Sequence, residues 1–150
     1  MTAISQHTSR KIKEVGPRLK YGVKDATTIY QGAYLGVVAA EGYALGYVST
    51  TTDKFIGIAL EGADNSGGAD AALYVLTSTS GVLEDIAVTG AADGVEELGN
   101  AVYVTDSGTM TLTGTNNNLV GNIINYNAVT GRYDVWYEST YAQVYIDTDT

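Results

Sequence analysis

The chain has 150 residues, with 18 Gly and 12 Tyr against a single Pro, a single Trp and no Cys, and a net charge of -9. That length predicts one domain with one sizeable core. The lack of Cys excludes a disulfide framework and a thiolate metal site, and no apolar run approaches the roughly 18 residues of a membrane-spanning helix.

The charge is unevenly placed. Residues 1–24 hold Arg10, Lys11, Lys13, Arg18, Lys20 and Lys24 against Glu14, a net +5, while the rest sets Lys54 and Arg132 against sixteen acids, a net -14. This split predicts a basic arm, 1–24, on an acidic body, 25–150. The arm has no sustained apolar period, and Gly16-Pro17 would end any helix after about two turns. It reads either as a solvated tail or as a segment that orders on an acidic partner surface. Charges stand where a secretory signal needs an apolar core, so the expectation is a protein made and assembled in the cytoplasm.

From Thr28 onward the chain reads as short strands. Residues 33–38 and 43–48 flank a turn at Glu41-Gly42, and 55–60 (Phe-Ile-Gly-Ile-Ala-Leu) make the central core strand. Strict alternation would put Ile56, Ile58 and Leu60 on one face of it, with Phe55, Gly57 and Ala59 on the other. Gly57, which has no Cβ, would admit a neighbouring backbone. Residues 62–70 read as a surface loop. Strands follow at 72–76 and 82–88, separated by the polar run 77–81, and 90–99 form a Gly- and acid-rich connection. Residues 101–105 and 109–113 make the clearest hairpin; Met110 and Leu112 alternate with Thr, which predicts one wet face. Residues 119–126 and 132–138 pair around a turn, and 141–146 read as a last strand in a C-terminal extension, 127–150. The whole predicts an all-β fold, a sandwich or small partly closed barrel. A short echo, Phe55-Ile56-Gly57 against Leu119-Val120-Gly121, suggests that both glycines admit a close neighbour.

No catalytic pattern emerges. The single His, His7, sits in the arm without a rigid shell to orient it. Glu84 and Asp85 are adjacent on a strand and so should point to opposite faces, and Glu96 and Glu97 read as solvated charge. Residues 64–70 distantly resemble a calcium loop but lack its Gly at position six and its Glu at position twelve. There is no phosphate-binding glycine loop. The expectation is no enzymatic activity, no cofactor and no metal. Tyr126, Tyr133, Trp136, Tyr137, Tyr141 and Tyr145 crowd the last quarter, either as cross-strand packing or as a subunit interface.

Four segments carry a resemblance: 30–38 (Tyr-Gln-Gly-Ala-Tyr-Leu-Gly-Val-Val), 55–62 (Phe-Ile-Gly-Ile-Ala-Leu-Glu-Gly), 99–113 (Gly-Asn-Ala-Val-Tyr-Val-Thr-Asp-Ser-Gly-Thr-Met-Thr-Leu-Thr) and 120–124 (Val-Gly-Asn-Ile-Ile). In this order they are similar to the capsid decoration, or cement, proteins of tailed bacteriophages, the group that includes the phage lambda head-decoration protein. The resemblance covers 28–126 and leaves the arm and 127–150 outside. It implies a small β-tulip-like domain, often a homotrimer, on the outer surface of the virion where capsomers meet. There it would brace the major capsid protein against internal DNA pressure through an N-terminal arm. On this chain the arm's capsid-binding residues would be Arg10, Lys11, Lys13, Arg18, Lys20 and Lys24, and Phe55, Ile56, Gly57, Ile58 and Leu60 would form the core strand. Neither nucleic acid nor a membrane is an expected partner, since the arm has just Tyr21 for stacking and the acidic body repels phosphates. The competing expectation is a receptor- or glycan-binding module of a viral fibre or surface layer, with the C-terminal aromatics as its platform.

Overall fold

A computed structural model of the chain describes residues 2–38, 40–50 and 52–140. The expected strand at 141–146, with Tyr141 and Tyr145, lies outside the described residues. Short apolar runs between Gly-, Asn- and Asp-rich turns become β1 (Lys11–Glu14), β2 (Arg18–Gly22), β3 (Thr27–Ile29), β4 (Tyr34–Val38), β5 (Ala44–Gly46), β6 (Thr52–Ala59) and β7 (Ala63–Asn65). The second half forms β8 (Tyr74–Ser78), β9 (Ser80–Ile86), β10 (Val88–Thr89), β11 (Ala101–Asp106), β12 (Thr109–Thr111), β13 (Asn118–Asn127) and β14 (Arg132–Glu138). A 3-10 turn, Val95–Glu97, lies in the acid-rich connection.

The strands assemble into a sandwich, so the all-β expectation holds. A seven-stranded sheet runs β1-β9-β14-β13-β11-β12-β10, a five-stranded sheet runs β2-β8-β6-β4-β5, and β3-β7 form a small third sheet. In the seven-stranded sheet the period-two rule is visible as two cross-strand rows. Ile12, Leu83, Val135 and Ile123 are register partners pointing into the core. One residue along, Lys13, Val82, Trp136, Asn122 and Ala101 form the outward row. Between the two large sheets lies a core that includes Tyr34, Tyr47, Phe55, Ile58, Tyr133 and Tyr137. A second core, with Leu35, Val37, Ile56, Ala59 and Val75, lies on the other face of the five-stranded sheet, roofed by Ile29 of β3 and Ala63 of β7. That sheet curls until Val23 bridges Ala44, which leaves it partly closed.

The 1–24 segment is woven into this framework. β1 runs antiparallel to β9 and β2 antiparallel to β8, so residues 11–22 form the rim of both large sheets. Gly16-Pro17 is the corner where the rim passes from one sheet to the other, and the Val15 and Gly16 N–H groups both donate to the Ser80 carbonyl. Alternating basic and apolar residues in β1 and β2 give only a weak local signal, because an edge strand buries one side alone.

Strict alternation fails along β6. Gly36 pairs with Phe55 and Leu35 with Gly57, which leaves Ile56 as the extra residue of a β-bulge. Phe55 and Ile58 therefore share the inter-sheet core, while Ile56 and Ala59 face the second one. Leu60 follows the strand and is half-buried. Gly57 has φ 132°, and a Cβ there would overlap the Ser78 carbonyl oxygen. The echo at Leu119-Val120-Gly121 has the same construction: Tyr103 pairs with Leu119 and Val102 with Gly121, with Val120 extra. A Cβ on Gly121 would overlap the Trp136 carbonyl oxygen. Both glycines admit a neighbouring backbone.

Three polar stretches are more buried than expected. Thr109 and Thr111 of β12 are buried, since Thr2 N–H donates to Thr109 Oγ1 and Thr111 Oγ1 donates to the Thr89 carbonyl of the flanking β10 side. The wet face is covered by residues that no local periodicity reveals. The polar run at 77–81 is the corner where β8 leaves one sheet and continues as β9 in the other. Thr77, Ser78 and Thr79 are buried there, with Ser78 hydrogen-bonded to the Tyr137 hydroxyl and Thr79 Oγ1 donating to the Pro17 carbonyl. Residues 62–70 contain β7, not loop alone. Asn65, 2% exposed, donates Nδ2 to the carbonyls of Val23, Lys24 and Ala69 at 3.2, 3.2 and 2.9 Å. Asn65→Ala leaves those carbonyls short of a donor and should cost about 1–3 kcal/mol in chemical denaturation. A loss under a few tenths would show that water replaces the amide.

Candidate functional site

The six basic residues assigned to the arm fall into different environments. Lys11 and Lys13 project from β1 and reach Glu84 of β9, each at 3.4 Å, with their own side chains 78% and 77% exposed. Such pairs contribute about 0–1 kcal/mol and leave the ammonium groups open to solvent. Arg18 makes a forked contact with Glu14 across the Gly16-Pro17 corner, its Nη2 2.7 Å from Oε2. That hydrogen bond first, and the charge of Glu14 second, raise the guanidinium's pKa. Lys20 is exposed and has no ion-pair partner among the described residues. Lys24 belongs to a different structure: it sits among Glu41, Asp25 and Asp70 at 3.2, 3.4 and 3.4 Å, beside the Val23–Ala44 bridge. Glu41 foremost holds its ammonium above the ordinary lysine range. Lys24 is a latch on its own chain, its side chain 26% exposed.

Arg10 is half-buried and shaped by its surroundings. Its Nε donates to the Gly32 carbonyl at 2.9 Å, and its guanidinium carbon lies 4.4 Å from the centre of the Tyr34 ring. It lines a cleft of about 430 Å³ together with Thr8, Tyr34, Glu84, Asp85 and Arg132. Glu84 and Asp85 both line this cleft, contrary to the expectation from strand alternation. The reason is a further register shift, between Tyr133 and Val135 opposite β9, where Asp85 adopts φ 56°. Its N–H donates to Asp134 Oδ1 at 2.9 Å, and its carboxylate accepts from Thr130 Oγ1 at 2.7 Å. Arg132 is the site residue that sequence reading missed. The signal available was that it is one of two cations in the acidic body.

Of the C-terminal aromatics, Tyr133 and Tyr137 are core residues, 2% and 0% exposed, so they pack inside the chain and do not line a subunit interface. Tyr133 donates its hydroxyl to the Ala92 carbonyl. Tyr126 leans on Tyr133 with ring centres 5.2 Å apart. Trp136 faces outward from β14 beside Gly99, Ala101, Leu119 and Asn122 in a shallow groove, its Nε1 donating to Glu138 Oε1 at 2.9 Å. The exposed Leu119 and Ile124 of β13 add apolar surface to the same sheet.

His7 is better held than its position suggests. Its Nδ1 accepts the Gln31 N–H at 3.0 Å, and its ring meets the edge of Tyr30. Glu97 is buried and caps the acid-rich connection, accepting from Ala92 N–H and Asn100 Nδ2 at 3.3 and 3.0 Å, which corrects its reading as solvated charge. Asp64 turns to Ser66 and Thr28, and Asp70 to the Asp25 N–H, so both carboxylates serve their own loops. Among the described residues, no three His, Cys, Asp or Glu side chains converge to hold a metal ion, and no helix is long and apolar enough to cross a membrane.

Comparison with protein-family models, curated proteins and solved structures found no match to this chain.

Proposed function

We propose that the protein is a non-enzymatic capsid decoration protein, binding the outer surface of a tailed-phage head where capsomers meet and stabilising it against internal DNA pressure. The observation that carries this reading is where the four resembling segments lie. Residues 30–38 and 55–62 supply the adjacent strands β4 and β6, and 99–113 and 120–124 supply β11, β12 and β13 of the facing sheet. The two halves are tied where Phe55 N–H donates to Asn118 Oδ1 at 2.8 Å and where Tyr34 N–H donates to the Ser107 carbonyl at 2.9 Å. The segments act as one structural unit, as a shared ancestral domain would require. A rim carrying exposed Lys11, Lys13 and Lys20 on an otherwise acidic body supplies complementarity to an acidic capsid face. Each contact is weak, and a homotrimer binding the major capsid protein would multiply them by avidity. Its setting would be the virion surface, after assembly in the host cytoplasm.

Removing 1–24 is not a clean test, because it strips β1 and β2 from both sheets. The sharper variant is Lys11→Gln, Lys13→Gln and Lys20→Gln together. It should leave the melting temperature within about 3 °C, since exposed pairs contribute little, while weakening capsid binding roughly 10-fold or more at low salt. Unchanged binding in a sedimentation assay would remove the basic rim from the contact.

One observation favours a second reading, a receptor- or glycan-binding module. Trp136 lies on an open sheet face with the Asn122 amide and Glu138 carboxylate at its edge. Aromatic faces with polar neighbours suit sugar rings. Glycan-array binding that disappears in Trp136→Ala would support it, and a blank array would dismiss it.

A further inference from the structure

Arg10 and Arg132 are far apart in sequence, yet both line the cleft between the N-terminal segment, the β9 bulge and the start of β14. Neither has a carboxylate partner among the described residues, in a chain of net charge -9. Arg10 is also pre-set. With Nε committed to the Gly32 carbonyl and its plane held near the Tyr34 ring, its terminal nitrogens keep a fixed orientation at little further entropy cost. An oriented guanidinium and a second, exposed one together suit a planar oxyanion.

The acids of the cleft narrow the choice. Glu84 is neutralised by Lys11 and Lys13. Asp85 is tied to Thr130 but remains an acceptor at the cleft wall, and the nearby Asp106 is turned to the Gly108 N–H. A doubly charged phosphate would meet Asp85 repulsively. A single carboxylate carries half that charge, and the extended backbone it rides on brings N–H donors that offset its repulsion with Asp85. The volume of about 430 Å³ is within the range of pockets that hold a small ligand or a short stretch of peptide.

We infer that the Arg10–Arg132 cleft recognises a carboxylate carried on an extended, acidic peptide segment of the partner protein. The inference rests on the decoration reading for the partner's identity alone; the chemistry rests on the cleft. Within that reading it moves the centre of recognition from the outer lysines to two arginines, one of them outside the 1–24 segment.

The test is fluorescence anisotropy at low salt with a labelled, end-blocked Ser-Gly-Asp-Gly-Ser peptide and its Asn counterpart. The acidic peptide should bind, and the Asn peptide should bind at least about 10-fold more weakly. Arg132→Gln, at an exposed position, should lose roughly 10-fold while keeping the parent melting curve. Arg10→Gln should lose at least as much, and Lys20→Gln, an equal charge change elsewhere, less than about 2-fold. Binding unaffected by Arg132→Gln, an equal loss in Lys20→Gln, equal binding of the Asn peptide, no binding at all, or displacement by inorganic phosphate at peptide concentrations would each overturn the inference. Capsid sedimentation separates the two proposals. Arg132→Gln that still coats capsids fully removes the cleft and leaves decoration standing. Peptide binding without any capsid binding leaves the cleft and removes decoration.

Discussion

Gly57→Val is expected to destabilise the fold by roughly 3–5 kcal/mol, lowering the melting temperature by about 10 °C or more. Two costs combine. The backbone at Gly57 has φ 132°, a conformation that a β-branched residue adopts only under strain. A Cβ there would also drive into the Ser78 carbonyl, which sits at the corner joining β8 to β9 and cannot yield without disturbing both sheets. Folding, not partner affinity, should bear the loss. A Gly57→Val protein that melts like the parent but fails to bind would reverse that assignment. Gly121→Val meets only the second kind of cost, a Cβ against the Trp136 carbonyl oxygen, and should destabilise less.

Alkaline pH should be the next largest perturbation. Burial raises the Tyr34 hydroxyl to about 12, with Arg10 opposing and Asp106 adding to the shift. Burial likewise raises Tyr137 to about 12 against the hydrogen bond from Ser78. In the unfolded chain a tyrosine loses its proton near pH 10. Above that pH the folded state holds more protons than the unfolded one, so stability falls as pH rises. The contribution is fully present below about pH 10 and is lost progressively up to about pH 12. At roughly 1.4 kcal/mol per unit, each tyrosine accounts for about 2–3 kcal/mol. Urea titrations between pH 9 and 12 should show this decline, and Tyr137→Phe should make it shallower. A stability flat across that window would contradict the burial of both hydroxyls.

The tyrosines also show what the sequence made legible and what it did not. Strand positions and fold class were readable because turn residues punctuate short apolar runs, and period two offered faces for β6 and β9, whereas the core row of Ile12, Leu83, Ile123 and Val135 depends on the register of four strands. The same period misled at Ile56 and at Asp85, where a bulge or a left-handed residue changes face without altering composition. Buried Thr77, Ser78 and Thr79 look like any polar linker in sequence, since their burial comes from a corner between sheets. Tyr133 and Tyr137 were indistinguishable from Trp136 as aromatics, and cross-sheet packing alone separates core from surface. The basic charge of 1–24 was plain, but its edge-strand pairing depends on β8 and β9, some sixty residues downstream. Arg132 joined the site through topology, and the ion pairs of Lys24 with Glu41 and Asp70 were equally hidden in sequence.

Mixing the protein with undecorated, expanded tailed-phage capsids and imaging by cryo-electron microscopy tests the central claim most directly. The account predicts saturable density on the outer surface at the junctions between capsomers, with the basic rim and the Arg10–Arg132 cleft turned toward the shell, and coated heads that survive heating which disrupts bare ones. Bare capsids beside excess folded protein, or density that leaves head stability unchanged, would contradict it.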